Sequence, residues 1–176
     1  KELLEKTKNL NHEFLSKEIP LTLNPGGPNH EELACLSGLT DYYEELYNHH
    51  FSDQKISLHE KGKAIFKLVY SHEEQLMEKL LSFLKSKNNV KLIGKSTHLR
   101  SERMPTVSFT VNNKSSLFIA QEAGKNGIGI RNGDFYAWRC LKGLGIDTND
   151  GVIRISMVHY NCMDEVDKLI KFLEIN

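Results

Sequence analysis

Arg154 is the residue of this sequence with the clearest chemical use. It follows the apolar pair Val152-Ile153, so a strand can carry its aliphatic stem while the guanidinium reaches outward. A planar guanidinium presents a fork of N–H groups that matches a carboxylate through two parallel hydrogen bonds. The residue alone leaves a second interpretation open, in which Arg154 forms an ion pair with Asp150 or Glu165 at the edge of a sheet.

A second candidate lies in the turn-rich stretch from Asn24 to Asn29, where two prolines fix φ and two glycines permit positive φ. Asn29 stands directly before His30 and can cap a helix that starts there. The sequence therefore predicts a shaped loop at this point.

The histidines and cysteines lack the spacing of a metal site. His49 and His50 are adjacent, so on a helix their side chains point about 100° apart, and no carboxylate or cysteine has supporting spacing. The 3 cysteines are odd in number and contain no CxxC pair, which indicates reduced thiols. We therefore expect no metal and no disulfide framework.

The composition is that of an ordinary soluble protein. The chain has 176 residues, of which 39% are apolar and 26% charged, enough for one domain or one domain plus a fragment of another. Lys and Arg number 23, as do Asp and Glu, so no net charge favours nucleic acid or a membrane surface. No apolar run approaches the roughly 20 residues of a spanning helix, and no signal-peptide core is present. We expect a cytoplasmic protein.

The apolar periodicity predicts helices in the first half of the chain and alternating strands and helices in the second. The predicted helices cover residues 1 to 16, 30 to 50, 57 to 85, 115 to 126, 135 to 144 and 164 to 173. The predicted strands cover residues 90 to 93, 106 to 111, 128 to 131 and 152 to 157. The fold class is therefore α/β, in the α+β sense, with helices over a small mixed or antiparallel sheet.

The second half also resembles the small carboxyl-terminal domain of class V aminotransferases and cysteine desulfurase-like enzymes, which use pyridoxal phosphate (PLP). The motifs that carry the resemblance are Gly127-Ile-Gly-Ile-Arg131-Asn-Gly-Asp-Phe-Tyr136, Val152-Ile-Arg154-Ile-Ser, the turn His159-Tyr160-Asn161 and the helix that follows. The resemblance implies the PLP-dependent transferase fold. Residues 1–55 would be a remnant of the large domain with a dimer-interface loop and helix, and residues 56–176 the small domain, which begins with a long helix.

The resemblance implies substrate-binding roles for Arg154, Arg131 and Asn161. In the family, the arginine that matches Arg154 holds the α-carboxylate of the substrate. Arg131 matches an arginine that desulfurases often carry just before the glycine that corresponds to Gly133. The alternative is that Arg131 forms a surface ion pair and does not bind substrate. Asn161 belongs to the turn beside Arg154.

Tyr136 departs from the desulfurase pattern. It stands where cysteine desulfurases carry the cysteine that accepts sulfur, and a tyrosine cannot take that role. Phe135, Tyr136 and Trp138 either line the substrate side of the site or pack a helix.

Gly26, Gly27 and Asn29 match the loop that reaches the cofactor phosphate of a neighbouring subunit. The lysine that holds PLP, the aspartate on the pyridine nitrogen and the stacking aromatic lie upstream in the family and are absent from this sequence. We therefore expect the carboxyl-terminal portion of a homodimeric enzyme that acts on a small amino acid. It would need a missing N-terminal large domain and be inactive alone, with no covalently bound PLP.

The sequence leaves two questions open. One is the amino acid and the reaction, which can be transamination, elimination, desulfuration or epimerisation. The other is whether the chain is instead a non-catalytic interaction domain that retains the small-domain fold and docks through the helix at 57 to 88.

Overall fold

The computed structural model describes residues 2–23, 27–52 and 55–175. The chain forms two compact units, Lys1–Ile65 and Phe66–Asn176, whose boundary falls within the longest helix. The helices are α1 (Glu2–Lys6), α2 (His30–His50), α3 (Leu58–Lys85), α4 (Ser116–Lys125), α5 (Trp138–Gly143) and α6 (Met163–Ile175). The strands are β1 (Val90–Ile93), β2 (Thr106–Val111), β3 (Arg131–Gly133) and β4 (Val152–Ser156). Across these described ranges, no helix is long and apolar enough to span a membrane.

In the first unit, the helix predicted over residues 1 to 16 is wrong beyond its first turns. α1 ends at Lys6, and short 3-10 turns follow. The side chain of Asn9 accepts the N–H of Asn11, and that of Asn11 accepts the N–H of His12, both at 2.9 Å. Asparagine side chains that bond nearby backbone groups compete with helix formation, so the chain turns here.

α2 begins and ends where the sequence predicts. The Oδ1 of Asn29 accepts the N–H groups of Glu31 and Glu32, each at 3.2 Å, which satisfies two of the amides that a helix start leaves free. Near its other end, Tyr47 is buried and its ring stacks on Phe51 at 4.9 Å between centroids. A cap and one buried aromatic therefore fix the two ends of this helix.

The second unit is built on a four-stranded antiparallel sheet in the order β1-β2-β4-β3. Val107 and Phe109 of β2, with Ile153 and Ile155 of β4, are at most 3% exposed. They belong to one buried cluster with apolar residues of α3, α4 and α6. Side chains alternate between the faces of a strand, so these helices cover one face of the sheet. The predicted α/β class and small sheet are confirmed.

β3 begins later than the predicted strand at 128 to 131. The N–H of Gly127 donates to the carbonyl of Gly124 at 3.0 Å, and the N–H of Ile128 to that of Ala123 at 2.9 Å. Gly127 has a φ of +65°. This pair of bonds is a Schellman motif that ends α4, so the first residues of the predicted strand serve as a helix cap.

Candidate functional site

Arg154 lies in the middle of β4, with a strand on each side. Its Cα is opposite Ser108 of β2 and opposite Arg131 of β3. Its neighbours Ile153 and Ile155 are buried in the core. Because side chains alternate along a strand, Arg154 projects from the face of the sheet that the core helices leave free.

That face of the sheet is polar and partly exposed. On β2 it carries Thr106, Ser108 and Thr110, which are half-buried. The hydroxyl of Thr106 donates to the hydroxyl of Ser156 on β4 at 3.2 Å. A face lined by hydroxyls beside Arg154 suits a small polar ligand, since it offers both hydrogen-bond donors and acceptors.

Neither of the ion pairs considered for Arg154 is formed. The carboxylate of Asp150 accepts hydrogen bonds from Ser115 and Ser116, and that of Glu165 from the turn before α6. The Nε of Arg154 is buried without a hydrogen-bond partner anywhere in the described ranges. A buried donor with no acceptor is costly, so an incoming acceptor would be stabilised here.

Arg131 places a second positive charge directly across from the first. It is exposed, and within the described part of the chain it pairs with no carboxylate. Like charges directly opposite on neighbouring strands repel each other. The two arginines therefore make this part of the face positive and favourable for an anion.

The loop after β3 brings an aromatic ring onto Arg154. The helix predicted over 135 to 144 begins only at Trp138. Phe135 and Tyr136 instead have φ values of +51° and +59°, a left-handed conformation that is rare for such residues. The ring of Phe135 lies under the Arg154 guanidinium, 4.1 Å from its Cζ, which is a cation–π contact.

Asp134 explains why the helix starts late. Its carboxylate accepts the N–H of Tyr136 at 3.2 Å, and its carbonyl accepts the N–H of Ala137 at 2.8 Å, which closes a turn. Tyr136 is fully exposed, with its side chain in solvent. The aspartate was a signal for this turn, but nothing in the aromatic pair itself indicates positive φ.

Asn161 is engaged within its own turn. Its Oδ1 accepts the Val158 N–H at 2.8 Å, and its Nδ2 donates to Glu165 at 3.0 Å. The hydrogen bond from Asn161, followed by one from the Cys162 N–H, lowers the pKa of Glu165. Asn161 therefore orders the chain that follows Arg154.

His72 fastens this turn to α3. Its Nε2 lies 2.7 Å from the carbonyl oxygen of Asn161 and donates to it, because a carbonyl can only accept. The residues around His72 carry no motif that marks it as part of a site. The two residues are 89 positions apart, and no local pattern links them.

Asp150 anchors the other end of β4. Its carboxylate accepts the Ser116 N–H at 2.9 Å and the Ser115 hydroxyl at 2.8 Å, at the start of α4. Partial burial raises the pKa of Asp150, but these hydrogen bonds lower it by more, so the net shift is downward. A carboxylate at a helix start is also favoured by the helix dipole.

The predicted cofactor loop lies in the first unit. Gly26 is outside the described residues, and Gly27 is exposed with open space around the position of a Cβ. Asn29 uses its side chain to cap α2. The Asn29 side chain is occupied by the N–H groups of Glu31 and Glu32. Gly27 and Asn29 can therefore offer a phosphate only their backbone N–H groups.

A covalent link to PLP requires a lysine in a suitable environment. On the sheet face of Arg154, the β1 residue Lys91 is exposed, and β2 separates its strand from β4. A lysine nucleophile is activated by burial in an apolar pocket or by a neighbouring cation, and Lys91 lies in solvent. The described residues of this face can therefore bind a carboxylate, and Lys91 is not placed beside Arg154 to hold a cofactor.

Comparison with solved structures agrees with this fold. The chain is similar to an apo cysteine desulfurase from Thermococcus onnurineus, with a TM-score of 0.58 and 22% identity over 67% of this chain and 28% of that one. It is also similar to a NifS-like protein from Rickettsia africae, with a TM-score of 0.51 and 24% identity over 61% of this chain and 28% of that one.

Sequence comparison is more specific. The chain is 35% identical to the aminotransferase-like protein FGM3 of Gibberella zeae over 66% of its length and 29% of that protein. It is 30% identical to a probable cysteine desulfurase of Pseudomonas putida over 93% of its length and 34% of that protein. The chain thus spans about a third of these relatives. Residues 58–169 match the family described as Aminotransferase class-V, and the chain belongs to that family.

Proposed function

We propose that this chain supplies the substrate-carboxylate arginine of a PLP-dependent class V enzyme that acts on a small amino acid. The observation that carries the proposal is the state of Arg154, whose Nε is buried and unpartnered on a polar sheet face. A substrate carboxylate would satisfy that donor and would offset the repulsion from Arg131. Both effects favour a negatively charged planar group.

The other site residues have supporting roles in this proposal. Arg131 contributes charge at the rim of the face, since it is exposed. Tyr136 follows Phe135 in the loop after β3, and its fully exposed side chain can meet a substrate or a neighbouring part of the enzyme. Asn161 keeps the turn after β4 in place, and it supports substrate binding by ordering that turn.

The remainder of the enzyme would supply the cofactor attachment. PLP provides the electron sink for chemistry at the α-carbon when it is bound. The residues of this chain would bind and orient the amino acid beside it. Gly27 and Asn29, together with Gly26, would present backbone amides to the cofactor phosphate of a partner subunit in a homodimer.

A row of exposed apolar side chains on α2 supports the idea that the first unit packs against a further part of the enzyme. Leu33, Leu36 and Leu39 are 50%, 54% and 55% exposed and follow one another at three-residue intervals. Exposed apolar rows of this kind mark interaction surfaces. We assign this row to the large domain of the same enzyme, because the matched relatives extend well beyond the segment that the chain covers.

The test is the kinetics of the complete enzyme that carries this segment, assayed on a panel of amino acids. Arg154→Ala should lower kcat/KM by about thirtyfold to several-thousandfold, because a paired carboxylate contact is worth about 2 to 5 kcal/mol. Arg154→Lys should recover only part, since a point charge cannot reproduce the fork.

Arg139→Ala is the matched control, because Arg139 is exposed on α5. It should leave kcat/KM unchanged. If Arg154→Ala reduces the melting temperature while kcat/KM for every active amino acid stays at the wild-type value, Arg154 is structural and the proposal fails.

A further inference from the structure

The contact between Phe135 and Arg154 is a cation–π contact, which engages none of the arginine N–H groups as a hydrogen-bond donor. The Arg154 Cζ lies over the face of the Phe135 ring, 4.1 Å from the ring centroid. A carboxylate partner would occupy the N–H groups in the guanidinium plane, whereas an aromatic ring stabilises the cation from above or below that plane. The ring can therefore hold the side chain without competing with a ligand for its donors.

The backbone that places the Phe135 ring has a costly conformation. Phe135 and Tyr136 are consecutive non-glycine residues with positive φ, a conformation that glycine or asparagine adopts at lower cost. Such strained positions persist where the surrounding structure or a function demands them. Here the two bonds to Asp134 hold the turn, and the outcome is a phenyl ring directed at Arg154.

From these observations we propose that Phe135 is a positioning residue for carboxylate recognition. Its ring fixes the plane of the Arg154 guanidinium, so that the N–H edge points away from the ring and receives a carboxylate in the same plane. The inference rests on the proposed function of Arg154. It adds a residue that does not touch the substrate and acts through the arginine.

The experiment uses the isotopically labelled 176-residue chain and measures the Nε–H signal of Arg154 by NMR, assigned from its loss in Arg154→Gln. Three proteins are compared, namely the wild type, Phe135→Leu, which has a similar volume without a π face, and Phe135→Tyr, which keeps the ring. For each protein we would measure the melting temperature, the order parameter of the Arg154 Nε–H and the affinity for acetate.

We expect the wild type and Phe135→Tyr to show a rigid Nε–H, with an order parameter of about 0.8 or more, and Phe135→Leu to fall below about 0.6. Acetate should bind Phe135→Leu about threefold to tenfold more weakly than the other two, because an unoriented guanidinium loses entropy on binding. Rescue by Phe135→Tyr separates positioning from simple space filling.

Two outcomes would overturn the inference. In one, Phe135→Leu keeps the order parameter and the acetate affinity of the wild type. In the other, both Phe135 variants lose order and melting temperature to the same extent, which makes the ring a packing element. The proposed function fails separately if acetate perturbs wild type and Arg154→Gln alike, and the order parameters then still decide the role of Phe135.

Discussion

Gly151 and Gly133 pack backbone against backbone at the start of β4. A Cβ placed on Gly151 would lie 2.3 Å from both the carbonyl carbon and the carbonyl oxygen of Gly133. Gly151 also has a φ of +71°, and Gly133 one of +127°. Because Gly133 ends β3 and leads into the loop that carries Phe135, this approach sets the distance between that loop and the arginine strand.

Gly151→Ala should therefore destabilise the chain strongly. The left-handed φ and the backbone clash together should cost about 2 to 4 kcal/mol in the free energy of unfolding, measured with urea. Gly129→Ala is the control, because Gly129 has open space around its Cβ position and no positive φ. Its effect should stay within about 0.5 kcal/mol. Equal unfolding midpoints for the two variants would show that the close approach is relieved without cost.

The pH dependence of Asp150 follows from its hydrogen bonds at the start of α4. Its pKa in the folded chain is lowered, so the carboxylate contributes stability that is fully present above the ordinary aspartate pKa of about 3.9. That contribution is lost as the pH falls through the lower folded value. Asp150→Asn should cost about 1 kcal/mol near neutral pH, and the difference from wild type should shrink in acid.

Urea unfolding at a series of pH values measures this difference. Asp41→Asn serves as the control, because Asp41 is exposed on α2. A gap between wild type and Asp150→Asn that stays constant down to strongly acidic pH would contradict the role of the charged carboxylate.

His72 should control the mobility of the turn that follows β4. His72→Leu removes the hydrogen bond to the Asn161 carbonyl and should cost about 0.5 to 1.5 kcal/mol. Amide exchange at Val158 should speed up, because its N–H donates to the Asn161 side chain. His72→Gln, whose amide can donate at a similar position, should restore part of the protection.

The matched control is His59→Leu, since His59 is exposed near the start of α3. It should leave the exchange of Val158 unchanged. If the exchange of Val158 is also unchanged in His72→Leu, the hydrogen bond from α3 does not hold the turn.

Cys162 precedes the first residue of α6 and can be improved as a cap. Its N–H donates to Glu165 at 2.9 Å, which is one half of a capping box. Cys162→Thr would add a hydroxyl that accepts the N–H of Glu165, and should raise the free energy of unfolding by about 0.5 to 1 kcal/mol. Cys35→Ser, at an exposed position on α2, controls for the loss of a thiol. A loss of stability in Cys162→Thr would show that the thiol already fills the cap better than a hydroxyl does.

Local signals allowed much of the fold to be predicted. The cap at Asn29 fixed the start of α2, and the alternation from Val107 to Val111 located β2 and its buried face. These features depend on residues a few positions apart, so a pattern in the sequence is sufficient. The small antiparallel sheet and the final helix followed from the same kind of evidence.

The geometry of the site could be predicted only in part. Arg154 was selected correctly as a strand residue, but its position opposite Arg131 depends on a register that no local pattern records. The Phe135 ring reaches Arg154 through a left-handed turn, and aromatic residues in a sequence do not predict such a turn. Strand pairing and backbone strain are tertiary effects, and they override the helical propensity of this segment.

Alternation along β4 gives neighbouring residues different evolutionary constraints. Ile153 and Ile155 can change only if the packed core changes with them, whereas Arg154 and Ser156 can be replaced with little effect on that core. A change in the chemistry of the free face of the sheet therefore does not require a compensating change in the core. A lineage can acquire new chemistry at alternate positions of one strand while the intervening positions stay constant.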